Sequence, residues 1–262
     1  MYPYVSIFGT ELATYSLMAI VGLLVAGFVF CRGVAKARPD DNDAVFVLLS
    51  IAFGMYAGGH VLFFITQAKN WHLLAEAENA EKFKEIFVSL SGGSVFYGGL
   101  IGAFLCGVLY LKARKIPLEA YMDNAALFAP LFHGFARIGC FLSGCCYGIE
   151  HELGFADVSG KVRFPVQLLE SACNFIIAAV IFFILKKGAL RGKVFYLYLA
   201  IYAFVRFFDE FLRGDEIRGF VLGLSTSQFI SILIEIFALI MILVPIIKRK
   251  NKKKPRCKGC FS

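Results

Sequence analysis

The sequence predicts an all-α fold: a polytopic membrane helical bundle with seven transmembrane helices. Three observations carry that expectation. The 262 residues are 59% hydrophobic and only 18% charged, with a mean hydropathy of +0.72, whereas soluble domains run nearer a quarter charged. The apolar residues fall into repeated runs of roughly 20 residues, the length needed to cross hydrocarbon. Basic or Gly/Pro-containing connectors end most of these runs.

Taken in order, segment one covers about 12–30 and is stopped by CRGVAKARPD. Segment two covers about 44–66. A charged, helix-prone insert follows at about 67–90, with Trp71 placed to sit near headgroups. Segments three and four cover about 95–111 and 123–143, separated by the basic LKARKIP. The connector at about 144–165 is long and mostly polar. Segments five, six and seven cover about 166–185, 194–212 and 221–247. Segment four carries Asp123, Asn124, His133, Arg137 and Pro130, a pattern compatible with a broken or partly re-entrant helix. Residues 1–247 are thus expected to form one transmembrane bundle and 248–262 a basic tail.

Orientation follows from the positive charges. Loops one, three and five carry three, three and four Lys/Arg, and the tail carries eight. Loops two, four and six carry three, two and two, although loop two is the longest. The odd loops and the C-terminus are therefore expected on the cytoplasmic side and the N-terminus outside. The first residues lack the basic region and cleavage pattern of a removed signal. The net charge of +8 is concentrated in the tail just after an apolar helix. That placement fits anchoring against anionic lipid and not nucleic-acid binding.

Against this background, arginines in or beside membrane-deep runs mark a candidate site, because an ionisable group in lipid is costly. The stretch PLFHGFARIGCFLSGCCYG (130–148) places His133 and Arg137 four apart, on one helix face. Gly139, Gly144 and Gly148 allow close backbone approach or a turn. An arginine held in low dielectric offers a fork of donors suited to phosphate; a snorkelling arginine is the structural alternative. In YAFVRFFDEFLRGDE (202–216), Arg206 and Glu210 are spaced to pair, as are Asp209 and Arg213. In FYGGLIGAF (96–104), Gly98 and Gly102 have the small-residue spacing for tight helix packing, and Tyr97 adds a hydroxyl. In RFPVQLLE (163–170), Pro165, Gln167 and Glu170 fit ordinary helix initiation.

Of the eight cysteines, Cys31, Cys106 and Cys173 read as packing residues. Cys140, Cys145 and Cys146 cluster, and Cys257 and Cys260 make one C-x-x-C, too few ligands for a tetrahedral zinc. His60 has no partner ligands nearby in sequence. The sequence supports neither a metal site nor a cofactor, and it has no Walker loop, zincin motif or nucleophile elbow.

These stretches, in this order, resemble the bacterial prolipoprotein diacylglyceryl transferase family. Arg137-Ile-Gly-Cys-Phe-Leu-Ser-Gly144 resembles its arginine-glycine-asparagine block, and Phe96-Tyr97-Gly98-Gly99-Leu100-Ile101-Gly102 its histidine-glycine-glycine-leucine block. Arg163 to Glu170 is similar to its segment before the fifth helix, and Arg206 to Asp215 to its sixth-helix block. The resemblance implies a multi-pass enzyme of the bacterial inner membrane. It implies transfer of a diacylglyceryl group from phosphatidylglycerol to the lipobox cysteine thiol of a prolipoprotein, giving a thioether and releasing glycerol phosphate. It further implies that Arg137 and Arg206 hold the lipid phosphate, that Glu210 orients Arg206, and that Tyr15 contacts headgroup or substrate. Gly98, Gly99, Gly139, Cys140 and Arg213 are its remaining candidate substrate contacts, and Tyr97 or His133 the candidate base. Tyr97 stands where the family carries histidine, Cys140 where it carries asparagine, and His60 where it tends to carry arginine. These departures leave a second reading open: a divergent lipid-binding relative with another acceptor, or without catalysis.

Overall fold

Apolar runs long enough to satisfy their own backbone in lipid become helices, and helices dominate the computed structural model. It describes residues 2–7, 9–37, 43–157, 160–214 and 220–253. The chain opens with a hairpin of β1 (Tyr4–Ile7) and β2 (Thr10–Ala13). Helices α1 (Thr14–Ala37) and α2 (Asp43–Thr66) follow. The insert holds a 3-10 turn (Ala68–Asn70), the single-turn α3 (His72–Ala75) and α4 (Ala80–Ser91). Then come α5 (Phe96–Ala113) and α6 (Leu118–Ser143). The connector folds as an antiparallel hairpin of β3 (Glu150–Ala156) and β4 (Val162–Arg163). Helices α7 (Val166–Lys186) and α8 (Val194–Asp209) precede a 3-10 turn at Glu210–Leu212. A minimal hairpin, β5 (Phe220–Val221) with β6 (Leu224–Ser225), leads into α9 (Thr226–Lys253).

Among the described residues, five helices are long and apolar enough to span a bilayer: Thr14–Ala35, Asp43–Thr66, Tyr121–Ser143, Val166–Lys186 and Thr226–Pro245. The protein is a multi-pass membrane protein. The apolar part of α5, Gly98–Ala113, is shorter, and α8 has 16 residues. At 1.5 Å per residue such a helix covers about 24 Å, less than the ~30 Å of hydrocarbon. Segment four differs from its expected break. Pro130 lies inside an uninterrupted α6, and the freed carbonyl of a proline turn can be re-satisfied by neighbours. The insert is helical as expected but divided. Asn79 ends the irregular part by accepting from the Lys82 amide at 2.8 Å, capping α4. Trp71 stacks on Phe64 with ring centroids 5.0 Å apart and donates to the Phe64 carbonyl. The strands of the 144–165 connector carry no apolar run and were not expected from it. Cys257, Cys260 and the end of the basic tail lie outside the described residues.

The chain divides into two compact units, residues 31–121 and residues 1–30 with 122–262. In the first, α2 and α5 pack through glycine. A Cβ on Gly102 would stand 2.1 Å from the Gly54 carbonyl oxygen, and one on Gly58 2.3 Å from that of Gly98. Two G-x-x-x-G pairs, one on each helix, thus bring backbone against backbone. Asp43 accepts from Tyr110 Oη at 2.7 Å and from Arg114 Nε at 3.2 Å, tying the cytoplasmic-type loop ends together. His60 Nδ1 lies 2.8 Å from the Ser91 carbonyl oxygen, an ordinary satisfied histidine.

In the second unit, Ala126 and Leu127 of α6, Ile177, Ala178 and Ile181 of α7, and Val194 and Tyr198 of α8 form the apolar core. Asp123 accepts from the amides of Gly192 and Val194, supplying the orphan donors at the start of α8. Gly139 lets α1 approach α6: its missing Cβ would sit 3.2 Å from Tyr15 Cα and Met18 Cβ. Helix α7 turns an unusual face inward. Gln167, Glu170, Ser171 and Asn174 are all buried, at the i, i+3, i+4, i+7 positions of one stripe.

Candidate functional site

That polar stripe is the wall of the site. Glu170, 2% exposed, receives three guanidinium groups. Arg137 of α6 pairs through Nε with Oε2. Arg213 places Nη1 3.0 Å from Oε1, and Arg206 of α8 places Nη1 3.9 Å from the same oxygen. Arg206 is further held by Glu210 Oε2 at 2.5 Å from its Nη2, which also donates to Ser227 Oγ at 3.1 Å. Arg137 and Arg206, 69 residues apart in sequence, thus converge on one carboxylate. Every member is largely buried, and burial of so many charges is sustained only by mutual pairing. The Arg206 Nη1 donor makes no hydrogen bond among the described residues.

Local structure explains each placement. Arg206 and Glu210 form the expected i,i+4 pair at the end of α8. Arg213 departs from its expected helical spacing with Asp209, because the helix stops at Asp209 and Arg213 is extended, with φ −88° and ψ 138°. Its backbone is instead bridged to Gly148 in strand fashion. Gly214 donates to the Tyr147 carbonyl and Ile149 to that of Leu212. Gly148 permits this close approach, since a Cβ there would meet the Phe164 carbonyl oxygen at 2.3 Å. Ser171 Oγ donates to the Gly134 carbonyl at 2.9 Å and fixes α7 against α6. Asn174 donates to the Glu170 carbonyl.

His133, one turn before Arg137, packs at a tilt against Tyr202 with ring centroids 5.3 Å apart. Tyr15 remains partly exposed above Gly139. Tyr97 is the second residue of α5, with Gly98 and Gly99 following. The open face of Gly98 is taken by the Gly58 carbonyl and Leu62, and that of Gly99 by the Met55 backbone. The shallow apolar groove along α2 and α5, lined by Phe46, Phe53 and Leu109 among others, contains no ionisable cluster.

A second cluster adjoins Arg137. The sulfurs of Cys140, Cys145 and Cys146 all lie within 4.8 Å of one another, and all three are free thiols. Arg137 Nη1 is 3.8 Å from Cys140 Sγ. Hydrogen bonds from Cys140 and Cys145, then the charge of Arg137 and a hydrogen bond from Arg213, push the Cys146 thiol down. Hydrogen bonds with Cys140 and Cys146 push that of Cys145 up.

Glu170, the centre of this cluster, is the member that the sequence did not single out. Its position in the first turn after Pro165 had a sufficient ordinary explanation. The signal was the stripe: four polar residues on one face of an otherwise apolar membrane helix, which must face protein or a wet cavity.

Fold and site together define a class: a multi-pass helical membrane protein with a buried arginine–carboxylate cluster at the helix ends. Comparison with known proteins specifies it. A family model for prolipoprotein diacylglyceryl transferase matches residues 3–244. A phosphatidylglycerol–prolipoprotein diacylglyceryl transferase of Clostridium tetani is 34% identical over 235 residues, covering 86% of this chain and 90% of its own. A second from Clostridium perfringens is 32% identical, with 95% and 96% covered. One from Campylobacter hominis is 30% identical, with 87% and 84% covered. The chain belongs to the prolipoprotein diacylglyceryl transferase family.

Proposed function

We propose that this protein transfers a diacylglyceryl group from phosphatidylglycerol to the lipobox cysteine thiol of a prolipoprotein, as a seven-span enzyme of the bacterial inner membrane with its N-terminus outside. The observation that carries the reading is the convergence of Arg137, Arg206 and Arg213 on Glu170. Among the described residues the buried Arg206 Nη1 makes no hydrogen bond, which leaves that donor for an incoming anion. The phosphate of the lipid head is the anion such forks suit.

In the proposed reaction the acceptor sulfur bonds to the terminal glyceryl carbon while that carbon's bond to the phosphate oxygen breaks. The electron pair leaves with glycerol phosphate, and the arginines stabilise the charge gathering on it. Glu210 orients Arg206, and Glu170 holds all three guanidiniums at fixed spacing before the substrate arrives. The acceptor reacts as thiolate; His133, one turn from Arg137, and Tyr97 at the start of α5 are the candidate proton acceptors. Tyr15 and Cys140 are retained as candidate substrate contacts, while Gly98, Gly99 and Gly139 act through the close helix approach they permit.

The test supplies purified protein with a lipobox peptide and labelled phosphatidylglycerol. Label is expected on the peptide with wild type, and transfer is expected to fall about 100-fold or more in Arg137→Ala. A folded sample that binds the lipid without transferring label would overturn the reaction. That outcome would favour the second reading, a non-catalytic or differently coupled relative, which the cysteine at 140 motivates.

A further inference from the structure

We propose that Cys140, Cys145 and Cys146 form a binding site for one thiophilic divalent cation, Zn²⁺, with three thiolate ligands and an open fourth position. The three sulfurs already lie within 4.8 Å of one another. A tetrahedral zinc with Zn–S bonds near 2.3 Å spaces its sulfurs about 3.8 Å apart, so small side-chain rotations complete the geometry. The backbone is built to hold this arrangement. The Cys145 amide donates to the Cys140 carbonyl, closing the end of α6. Gly144 and Cys146 both adopt left-handed backbone, with φ +76° and +55°, which folds the two later cysteines back over the first. A non-glycine residue holds that conformation only where its surroundings enforce it. Here Gln167, 2% exposed, donates to the Cys145 carbonyl at 2.8 Å and fixes the turn from α7.

Charge and access agree. Clustered thiolates repel one another, and Arg137 beside Cys140 offsets part of that repulsion. Cys140 is buried, Cys146 half-buried and Cys145 exposed, so a cation can enter from the Cys145 side. Three thiolates favour soft or borderline cations over Mg²⁺ or Ca²⁺. The Cys140 sulfur sits against Arg137, so the three thiols adjoin the arginine cluster. If the transfer reaction proposed above holds, an acceptor thiol binding at the open fourth position would lose its proton to solvent and remain on the metal as thiolate.

The experiment uses the full chain carrying Cys257→Ser and Cys260→Ser, which removes the tail pair. Metal-free, reduced protein is titrated with Zn²⁺ against a chromophoric chelator, and bound zinc is counted by elemental analysis. About one zinc per chain is expected. Cys145→Ser and Cys146→Ser are each expected to weaken it more than about 100-fold, while melting near the parent temperature without metal. No zinc uptake, or uptake unchanged by both substitutions, would overturn the site, as would a disulfide among the three that persists under reduction. Transfer is assayed separately. Zinc uptake without transfer counts against the proposed reaction and leaves the metal site standing.

Discussion

Two regions of this molecule bring helices together by opposite means. Along α2 and α5, glycine removes the side chain altogether, and backbone meets backbone at Gly54–Gly102 and Gly58–Gly98. Around α6, α7 and the end of α8, long charged side chains fill the space and meet on Glu170. The first needs only van der Waals contact, the main attraction available between helices surrounded by lipid. The second needs every charge compensated, because each unpaired one is costly in low dielectric. Glycine packing is tolerant of chemistry and intolerant of size, whereas the charge cluster is the reverse. A binding site for an anion can be made from the second kind of region and not from the first.

That contrast can be broken most severely at Glu170. Glu170→Ala leaves three guanidiniums facing each other with Glu210 as the remaining direct pair. Unfolding in detergent should show a loss of about 3–5 kcal/mol, with Glu170→Gln losing less. Next comes Arg206→Lys, which keeps the charge and removes the fork. Transfer should fall about 100-fold while the melting temperature stays near wild type; equal loss of both would make Arg206 a scaffold residue. Gly102→Ala tests the other region. Its Cβ must displace the Gly54 carbonyl, so the two helices separate, at a cost of about 1–3 kcal/mol measured by the same unfolding assay. The smallest effect concerns the β3–β4 hairpin. Lys161, hydrogen-bonded to Glu150 at 2.5 Å, holds that exposed carboxyl below its usual range. A depressed carboxylate stabilises above the unfolded value near pH 4.3 and loses that contribution as pH falls through the folded value. Protection of the hairpin amides of β3 and β4 against exchange, taken relative to the intrinsic rate at each pH, should therefore drop slightly at acidic pH, and Glu150→Gln should abolish that dependence.

Much of this architecture was legible as pattern. Helix bounds fall within a few residues of the apolar runs at α2, α5 and α7, because length and hydropathy alone decide them. Arg137 and Arg206 stood out because a charge in or beside an apolar run is costly. What was illegible depends on tertiary context. Arg213 reached Glu170 by leaving the helix, so helical spacing misplaced its partner. Glu170 looked ordinary until the stripe it shares with Gln167, Ser171 and Asn174 was found to face inward. Pro130 suggested a break that the continuous α6 does not make. Gly54 and Gly58 announced themselves only through the helix they touch.

The Gly148–Arg213 bridge carries an evolutionary constraint. A methyl group at Gly148 would strike the Leu212 carbonyl at 2.9 Å, and one at Gly214 would strike the Gly148 carbonyl at 2.4 Å. Neither glycine bears a functional group, yet each sets where a guanidinium ends up. A side chain at either position must therefore move backbone that holds the Arg213 guanidinium, several bonds away.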